Sequence, residues 1–117
     1  MKRILHVEDN EDTRTLVAFV LQAEGWDVLS VDGREAALKH AGDGGFDLYL
    51  IDHWIDGDTG NELCSDLRSI DQHTPILFYS GAMLDSEAVR AAGAQGFLEK
   101  PCSPEALVGE IFRLMRK

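Results

Sequence analysis

Five side chains spread along the chain have the types that phosphoryl chemistry needs: the adjacent acids Glu8 and Asp9, the acid Asp52, the hydroxyl of Ser80 and the amine of Lys100. Three carboxylates brought to one place repel one another and raise carboxyl pKa values unless a cation sits among them. Mg²⁺ suits such a set, because it prefers hard oxygen ligands, keeps several waters and is commonly held by one or two carboxylates plus phosphate oxygens. A lysine adds a compact positive charge on a flexible stem and a serine adds a hydroxyl donor, both matched to phosphoryl oxygens. In such a setting an aspartate can act as a nucleophile and form an aspartyl phosphate. Metal and lysine then neutralise the charge that develops during transfer.

Whether these groups meet depends on the elements that carry them. Short apolar runs, the pattern of strands buried on both faces, occur at 4–7, 28–31, 46–51, 76–79 and 96–98. Helical patterns lie between them. The first, at about 12–24, carries Leu16, Val17, Val20, Leu21 and Ala23 on one broad stripe, and Gly25 is its expected stop. Another shows Leu63, Leu67 and Ile70 at spacings of four and three, and the last, opened by Ser103 as N-cap and Pro104 at its first position, repeats the spacing with Leu107, Ile111 and Leu114. Alanine-rich helical stretches at about 34–41 and 86–92 complete the alternation. Strict alternation of strand and helix predicts an α/β fold: a five-stranded parallel sheet with helices on both faces, three layers α/β/α, joined by right-handed crossovers. In such sheets sites gather at the carboxyl ends of the strands. Glu8 and Asp9 end the first strand, Asp52 the third and Ser80 the fourth, while Lys100 closes the fifth, so the fold itself assembles the set.

The bulk numbers bound the rest. A chain of 117 residues holds one compact domain, here taken as 1–117, and not two. Its 44% hydrophobic and 27% charged residues are an ordinary globular balance. Eleven basic against twenty-one acidic side chains give a net charge of -10, which repels phosphate backbones and anionic membrane surfaces, so neither direct nucleic-acid binding nor membrane association is expected. No segment is long enough to span a bilayer, and Met1-Lys2-Arg3 runs straight into a short apolar stretch with no signal-peptide pattern. Cys64 and Cys102 lie far apart and are expected as reduced thiols, which fits a cytoplasmic location.

The segments His6-Val7-Glu8-Asp9-Asn10, Leu50-Ile51-Asp52, Tyr79-Ser80-Gly81-Ala82 and Ala92-Gly93-Ala94-Gln95-Gly96-Phe97-Leu98-Glu99-Lys100-Pro101 resemble, in order and over essentially the whole chain, the signature blocks of response-regulator receiver domains. That resemblance implies a flavodoxin-like doubly wound (βα)5 fold with strand order 2-1-3-4-5. It implies that Asp52 is the phosphoryl acceptor. Asp9, Asp52 and the Trp54 backbone carbonyl would hold Mg²⁺, with Glu8 acting partly through water. Lys100 and Ser80 would handle the phosphoryl oxygens, Ser80 and Phe97 would be the paired switch positions, and Lys100-Pro101 would be a cis peptide that aims the lysine, X-Pro being the junction where cis is cheap. The implied role is a switch in a two-component phosphorelay, phosphorylated by a histidine kinase or a histidine phosphotransfer protein and read by an unknown downstream protein, with a homodimer also open to it. Such a domain catalyses only its own phosphorylation and dephosphorylation and is not otherwise an enzyme. Two alternatives share the fold and stay open: an interaction or dimerisation module seldom phosphorylated, and an intermediate phosphate carrier in a relay.

Other motifs are weaker. The stretch from Asp52 to Asp58 has a superficial calcium-loop look, but Trp54 stands at its third position and Leu63 at the twelfth, where a bidentate Glu is needed. No phosphate-cradling glycine loop occurs, so nucleotide binding is not expected. His6 reads as a satisfied core residue, and His40, His53 and His73 show no metal-ligand spacing. Four departures from the family pattern stand out: Trp54 two residues after the acceptor, Asp56 where Pro is usual, a stretch from Ser80 to Gly93 shorter than usual, and Ser80 in place of the commoner Thr. Cys102 follows the Lys-Pro pair where receivers often carry a bulky apolar residue, and a small buried thiol is expected there rather than a redox sensor.

Overall fold

The computed structural model describes residues 2–52, 54–55, 58–80, 90–91, 93–99 and 102–115; at 52, 54–55, 58–61 and 80 the description is of the backbone. The elements are β1 (Arg3–Val7), α1 (Glu11–Gln22), β2 (Asp27–Val31), α2 (Arg34–Asp43), β3 (Leu48–Asp52), β4 (Trp54–Ile55), β5 (Asp58–Thr59), α3 (Gly60–Ile70), β6 (Ile76–Ser80), β7 (Gly96–Glu99) and α4 (Pro104–Met115). Five strands form one parallel sheet in the order β2-β1-β3-β6-β7. Counted along the chain as the five main strands, that is the expected 2-1-3-4-5. The helical stretch read at 86–92 falls largely outside the described residues.

Continuous apolar runs suit the three central strands because adjacent residues face opposite helix layers. Ile4, Leu48, Leu50 and Leu77 pack with Val17 and Leu21 of α1 and with Leu107, Ile111 and Leu114 of α4. Their neighbours Leu5, Val7, Tyr49, Ile51, Ile76 and Phe78 pack with Ala37 and Ala41 of α2 and with Leu63, Cys64 and Leu67 of α3. Each large aliphatic so buried contributes about 1.5–3 kcal/mol, which fixes strand register as well as stability.

The structure corrects several expectations of detail. Edge strands β2 and β7 are only half-buried over most of their length, since a single neighbour covers them. The α1 stripe is narrower than read: Val17 and Leu21 are buried, but Leu16 is 63% exposed, and Ala23 is an exposed C-cap. Leu16 lies one residue, and so about 100°, off the buried line. Ile70, at the end of α3, is 53% exposed for want of a facing layer. Phe46 and Asp47 precede β3 rather than belonging to it: the Asp47 carboxylate accepts from the Arg3 backbone N–H at 2.8 Å, and the Arg3 guanidinium lies 4.6 Å over the Phe46 ring. After Asp52 the short strands β4 and β5 pair antiparallel, with Trp54 opposite Thr59, an element the sequence pattern did not reveal.

Helix ends are set by local chemistry. The Asn10 side chain accepts from the Thr13 N–H at 2.9 Å, and Glu11 and Asp12 occupy the first turn of α1, where the helix dipole favours acids. Gly25, at φ 89°, provides the left-handed turn after it. Ser103 caps α4 as expected, its hydroxyl accepting from the Ala106 N–H at 3.1 Å.

At the amino edge of the sheet a network that periodicity does not reveal fixes the starts of β6 and β7. Arg68 Nε donates to the Gly93 carbonyl at 2.9 Å, Nη1 to the carbonyls of Asp71 at 3.1 Å and Thr74 at 2.7 Å, and Nη2 to Gln95 Oε1 at 2.7 Å. Gln95 Oε1 also accepts from the Ile76 N–H at 2.7 Å. Beside it the Asp71 carboxylate accepts from Thr74 Oγ1 at 2.5 Å, from the His73 and Thr74 N–H groups at 3.0 Å each, and from the Tyr49 hydroxyl at 2.8 Å. Partial burial works to raise the Asp71 pKa, but those donors outweigh it and hold the carboxyl well below the usual range. Burial, with Asp71 beside it, pushes the Tyr49 phenol well above its usual range.

Candidate functional site

The carboxyl edge of the same sheet gathers acids. The Glu8 N–H donates to the Val31 carbonyl at 3.0 Å, extending the β1–β2 ladder by one residue and leaving Glu8 only 1% exposed. Its carboxylate accepts from the Asn10 N–H at 3.3 Å, and its carbonyl accepts from Arg14 Nη1 at 2.9 Å. Asp9 follows as an exposed residue just before the α1 cap. On the neighbouring strand Val7 pairs with Ile51, so Asp52, the last residue of β3, stands one step beyond the β1–β3 ladder, level with Glu8. Asp52 pairs with Tyr79 across β6, and Ser80, the last residue of β6, pairs with Glu99, the residue before Lys100. Four adjacent strand ends thus bring the backbones of Glu8, Asp9, Asp52, Ser80 and Glu99 to one edge, with neighbouring strands about 4.8 Å apart.

Lys100 and Pro101, and with them the cis-peptide expectation, lie outside the described residues, as do His53, Asp56 and the side chains of Asp52, Trp54 and Ser80. Trp54 is placed by its backbone in the β4–β5 pair that follows the acceptor position. Phe97 pairs with Phe78 in β7 and packs, partly buried, on the α2–α3 side of the sheet. Among the described residues no cluster of three His, Cys, Asp or Glu side chains that could hold a metal occurs.

Sequence reasoning missed one residue at this edge. Tyr79 is partly buried and packs, as Cys102 does, on the α1–α4 side of the sheet. Burial first, then the Cys102 thiol and the nearby Glu8 carboxylate, push the phenol up to about 12, so at neutral pH it remains a donor. The available signal was a hydroxyl-bearing ring in a strand whose other members are Ile76, Leu77, Phe78 and Ser80. Cys102 itself is half-buried rather than buried, because it lies at the rim between β7 and α4. His6 is the satisfied core residue expected: it is 1% exposed with Nδ1 3.3 Å from the Ser30 hydroxyl. Cys64 is buried, which raises its thiol to about 11 and leaves it unreactive.

The family model of the response regulator receiver domain matches residues 4–112. The chain belongs to the response-regulator receiver family. This receiver domain is 29% identical over 99% of its length to the phosphate regulon transcriptional regulatory protein PhoB of Escherichia coli, covering 52% of that protein. It is 33% identical over 98% of its length to the transcriptional regulatory protein TrcR of Mycobacterium tuberculosis, covering 46% of it. It thus spans about half the length of the curated relatives it matches. Among solved structures, the chemotaxis protein CheY4 of Vibrio cholerae superposes with a TM-score of 0.91 at 30% identity over 97% of this chain and 98% of that one. The receiver domain of the sensor histidine kinase PA1611 of Pseudomonas aeruginosa, described with a magnesium ion coordinated in its active-site cleft, shares the fold with a TM-score of 0.90 at 24% identity, over 99% of this chain and 98% of that one. Among the described residues no helix is long and apolar enough to cross a membrane.

Proposed function

We propose that this receiver domain takes a phosphoryl group on Asp52 in a Mg²⁺-dependent reaction and changes conformation in response. The observation that carries the reading is the ladder register, which brings the ends of β1, β3, β6 and β7 side by side with Glu8 held at 1% exposure among them. A buried carboxylate beside further acids calls for a cation, and an all-oxygen donor set is hard-ion chemistry. Asp9, Asp52 and the Trp54 carbonyl would hold Mg²⁺, with Glu8 through water. When bound, the ion supplies charge neutralisation for the phosphoryl oxygens.

The residues divide the work. Asp52 attacks phosphorus, forming the acyl–phosphate bond as the bond from phosphorus to the donor nitrogen or oxygen breaks. Lys100 pairs with a phosphoryl oxygen, the Ser80 hydroxyl donates to another, and Phe97 fills the space that Ser80 leaves. The added charge, about 1.5 to 2 negative units, biases the switch. The phosphodonor is a histidine kinase or a histidine phosphotransfer protein, the reader is a further protein, and residues 1–117 act as one unit in the cytoplasm. The domain catalyses only its own phosphorylation and dephosphorylation.

Fluorescence tests the reading. Trp54 follows the acceptor by two residues, so Mg²⁺ and then beryllofluoride should each change tryptophan emission. Trp54→Phe should remove both responses, and Asp52→Asn should remove the second. Emission unmoved by either addition in the wild type contradicts the proposal.

A further inference from the structure

Asp9 stands in a one-residue gap between strand and helix. On one side Glu8 extends the β1–β2 ladder through its N–H bond to the Val31 carbonyl at 3.0 Å, and on the other Asn10 is the N-cap of α1. Asp9 itself is exposed, so the backbone that carries its carboxylate is held largely through these two neighbours. Arg14, partly buried on α1, bonds to both of them. Its backbone N–H donates to the Asn10 carbonyl at 2.9 Å, and its guanidinium Nη1 reaches back past Asp9 to donate to the Glu8 carbonyl, also at 2.9 Å. The Asn10 N–H closes the turn by donating to the Glu8 carboxylate at 3.3 Å. Any residue except proline at 14 could make the first of these bonds, but the guanidinium bond needs a donor at the end of a long side chain.

We propose that Arg14 is a positioning residue for the metal-binding turn: by holding the Glu8 carbonyl it fixes the backbone from which the Asp9 carboxylate meets Mg²⁺. The inference rests on the Mg²⁺-dependent acceptor reading of Asp52 and adds to it a residue that acts through its neighbours. Mg²⁺ demands near-ideal octahedral geometry, so a displaced carboxylate weakens it. Groups that orient metal ligands from behind are costly to lose, and a tie to the adjacent carbonyl is one step further from the ligand, so its loss should weaken Mg²⁺ binding about threefold to tenfold. Charge alone predicts the opposite sign, because removing one cation from beside the acids should tighten the binding of another. The direction of the change therefore separates placement from electrostatics.

The experiment titrates MgCl₂ into the purified domain and follows the backbone amide NMR shifts of Glu8, Asp9 and Asn10 in the wild type, Arg14→Met and Arg14→Lys. Methionine keeps the helix propensity and the bulk of the stem without a donor, whereas lysine keeps a donor on a long stem. Thermal midpoints without metal check that both variants are folded. Arg14→Met should bind Mg²⁺ more weakly by the stated factor, and Arg14→Lys should recover most of the loss. With phosphoramidate as donor, the Mg²⁺ concentration for half-maximal phosphorylation should rise by the same factor in Arg14→Met, and excess Mg²⁺ should make good the rate. Mg²⁺ binding by Arg14→Met as tight as wild type or tighter overturns the inference. So does Arg14→Lys binding no better than Arg14→Met, or a slow rate in Arg14→Met that excess Mg²⁺ does not relieve. Absence of any Mg²⁺ response in the wild type instead removes the metal-dependent reading on which the inference rests, so the two failures are told apart.

Discussion

The two edges of the sheet treat charge in opposite ways. At the amino edge Arg68 and Asp71 are surrounded by partners: the guanidinium reaches three carbonyls and an amide oxygen, and the carboxylate accepts from two hydroxyls and two backbone amides. At the carboxyl edge the acids Glu8, Asp9 and Asp52 stand at the ends of adjacent strands. Buried charge is stable where hydrogen bonds and opposite charge compensate it, and acids gathered together are held at a cost that a bound cation removes. The amino edge is therefore read as structure and the carboxyl edge as chemistry. Substitutions should separate the two, one moving stability and the other moving phosphoryl transfer.

The largest effect should come from the carboxyl edge. Lys100→Ala, or removal of Mg²⁺ with a chelator, should lower the rate of phosphorylation by about a hundredfold or more, while Lys100→Ala leaves the thermal midpoint within about 2 °C of wild type. A small-molecule phosphodonor assay beside a thermal melt checks both halves. Next in size, Arg68→Ala at the amino edge removes donors from several partly buried acceptors and should destabilise the fold by about 2–4 kcal/mol, lowering the midpoint by about 10 °C, with phosphorylation at 20 °C within about twofold of wild type. If Arg68→Ala abolishes phosphorylation while the fold survives, the division between the edges is wrong.

Gly93→Ala should cost somewhat less, about 1–3 kcal/mol by denaturant titration. Gly93 sits at φ 99°, where a side chain is strained, and an added Cβ would stand 3.0 Å from Arg68 Cγ. Asp71 gives the comparison a pH axis. Its folded pKa is held below the unfolded value of about 3.9, so its stabilisation is fully present above about pH 5 and is lost as pH falls towards the folded value. Between pH 5 and pH 3 wild-type stability should therefore fall more steeply than that of Asp71→Asn, as urea titrations at each pH would show. The smallest effect should be at Arg34, which bridges α2 to Glu62 and Asp66 of α3 from a partly exposed position. Arg34→Ala should cost about 0.5–1 kcal/mol, less in high salt.

The sequence made the carboxyl edge readable and left the amino edge hidden, for a physical reason. Glu8, Asp9, Asp52, Ser80 and Lys100 each follow a short apolar run, so alternation of strand and helix was enough to bring the backbones of the first four to one edge, with Glu99 marking the approach to Lys100. Arg68, Asp71 and Gln95 lie in a helix end and two turns, and nothing local links positions 22 to 27 residues apart when only a guanidinium or a hydroxyl joins them. The same limit explains Tyr79, whose ring reads as strand core although burial, Cys102 and Glu8 push its phenol up. Leu16 and Ile70 failed in the opposite direction: periodicity counts apolar residues but cannot know which helix flank lacks a neighbour, and both are exposed. The β4–β5 pair was invisible because two-residue strands carry no alternation to read.

The most direct test of phosphoryl acceptance is intact-mass spectrometry of the domain incubated with phosphoramidate and Mg²⁺, with peptide mapping after reduction of the acyl phosphate by borohydride. One phosphoryl group should be gained, mapped to Asp52, and lost in Asp52→Asn and in the presence of chelator. No mass gain on the wild type, or a gain retained in Asp52→Asn, would contradict the account.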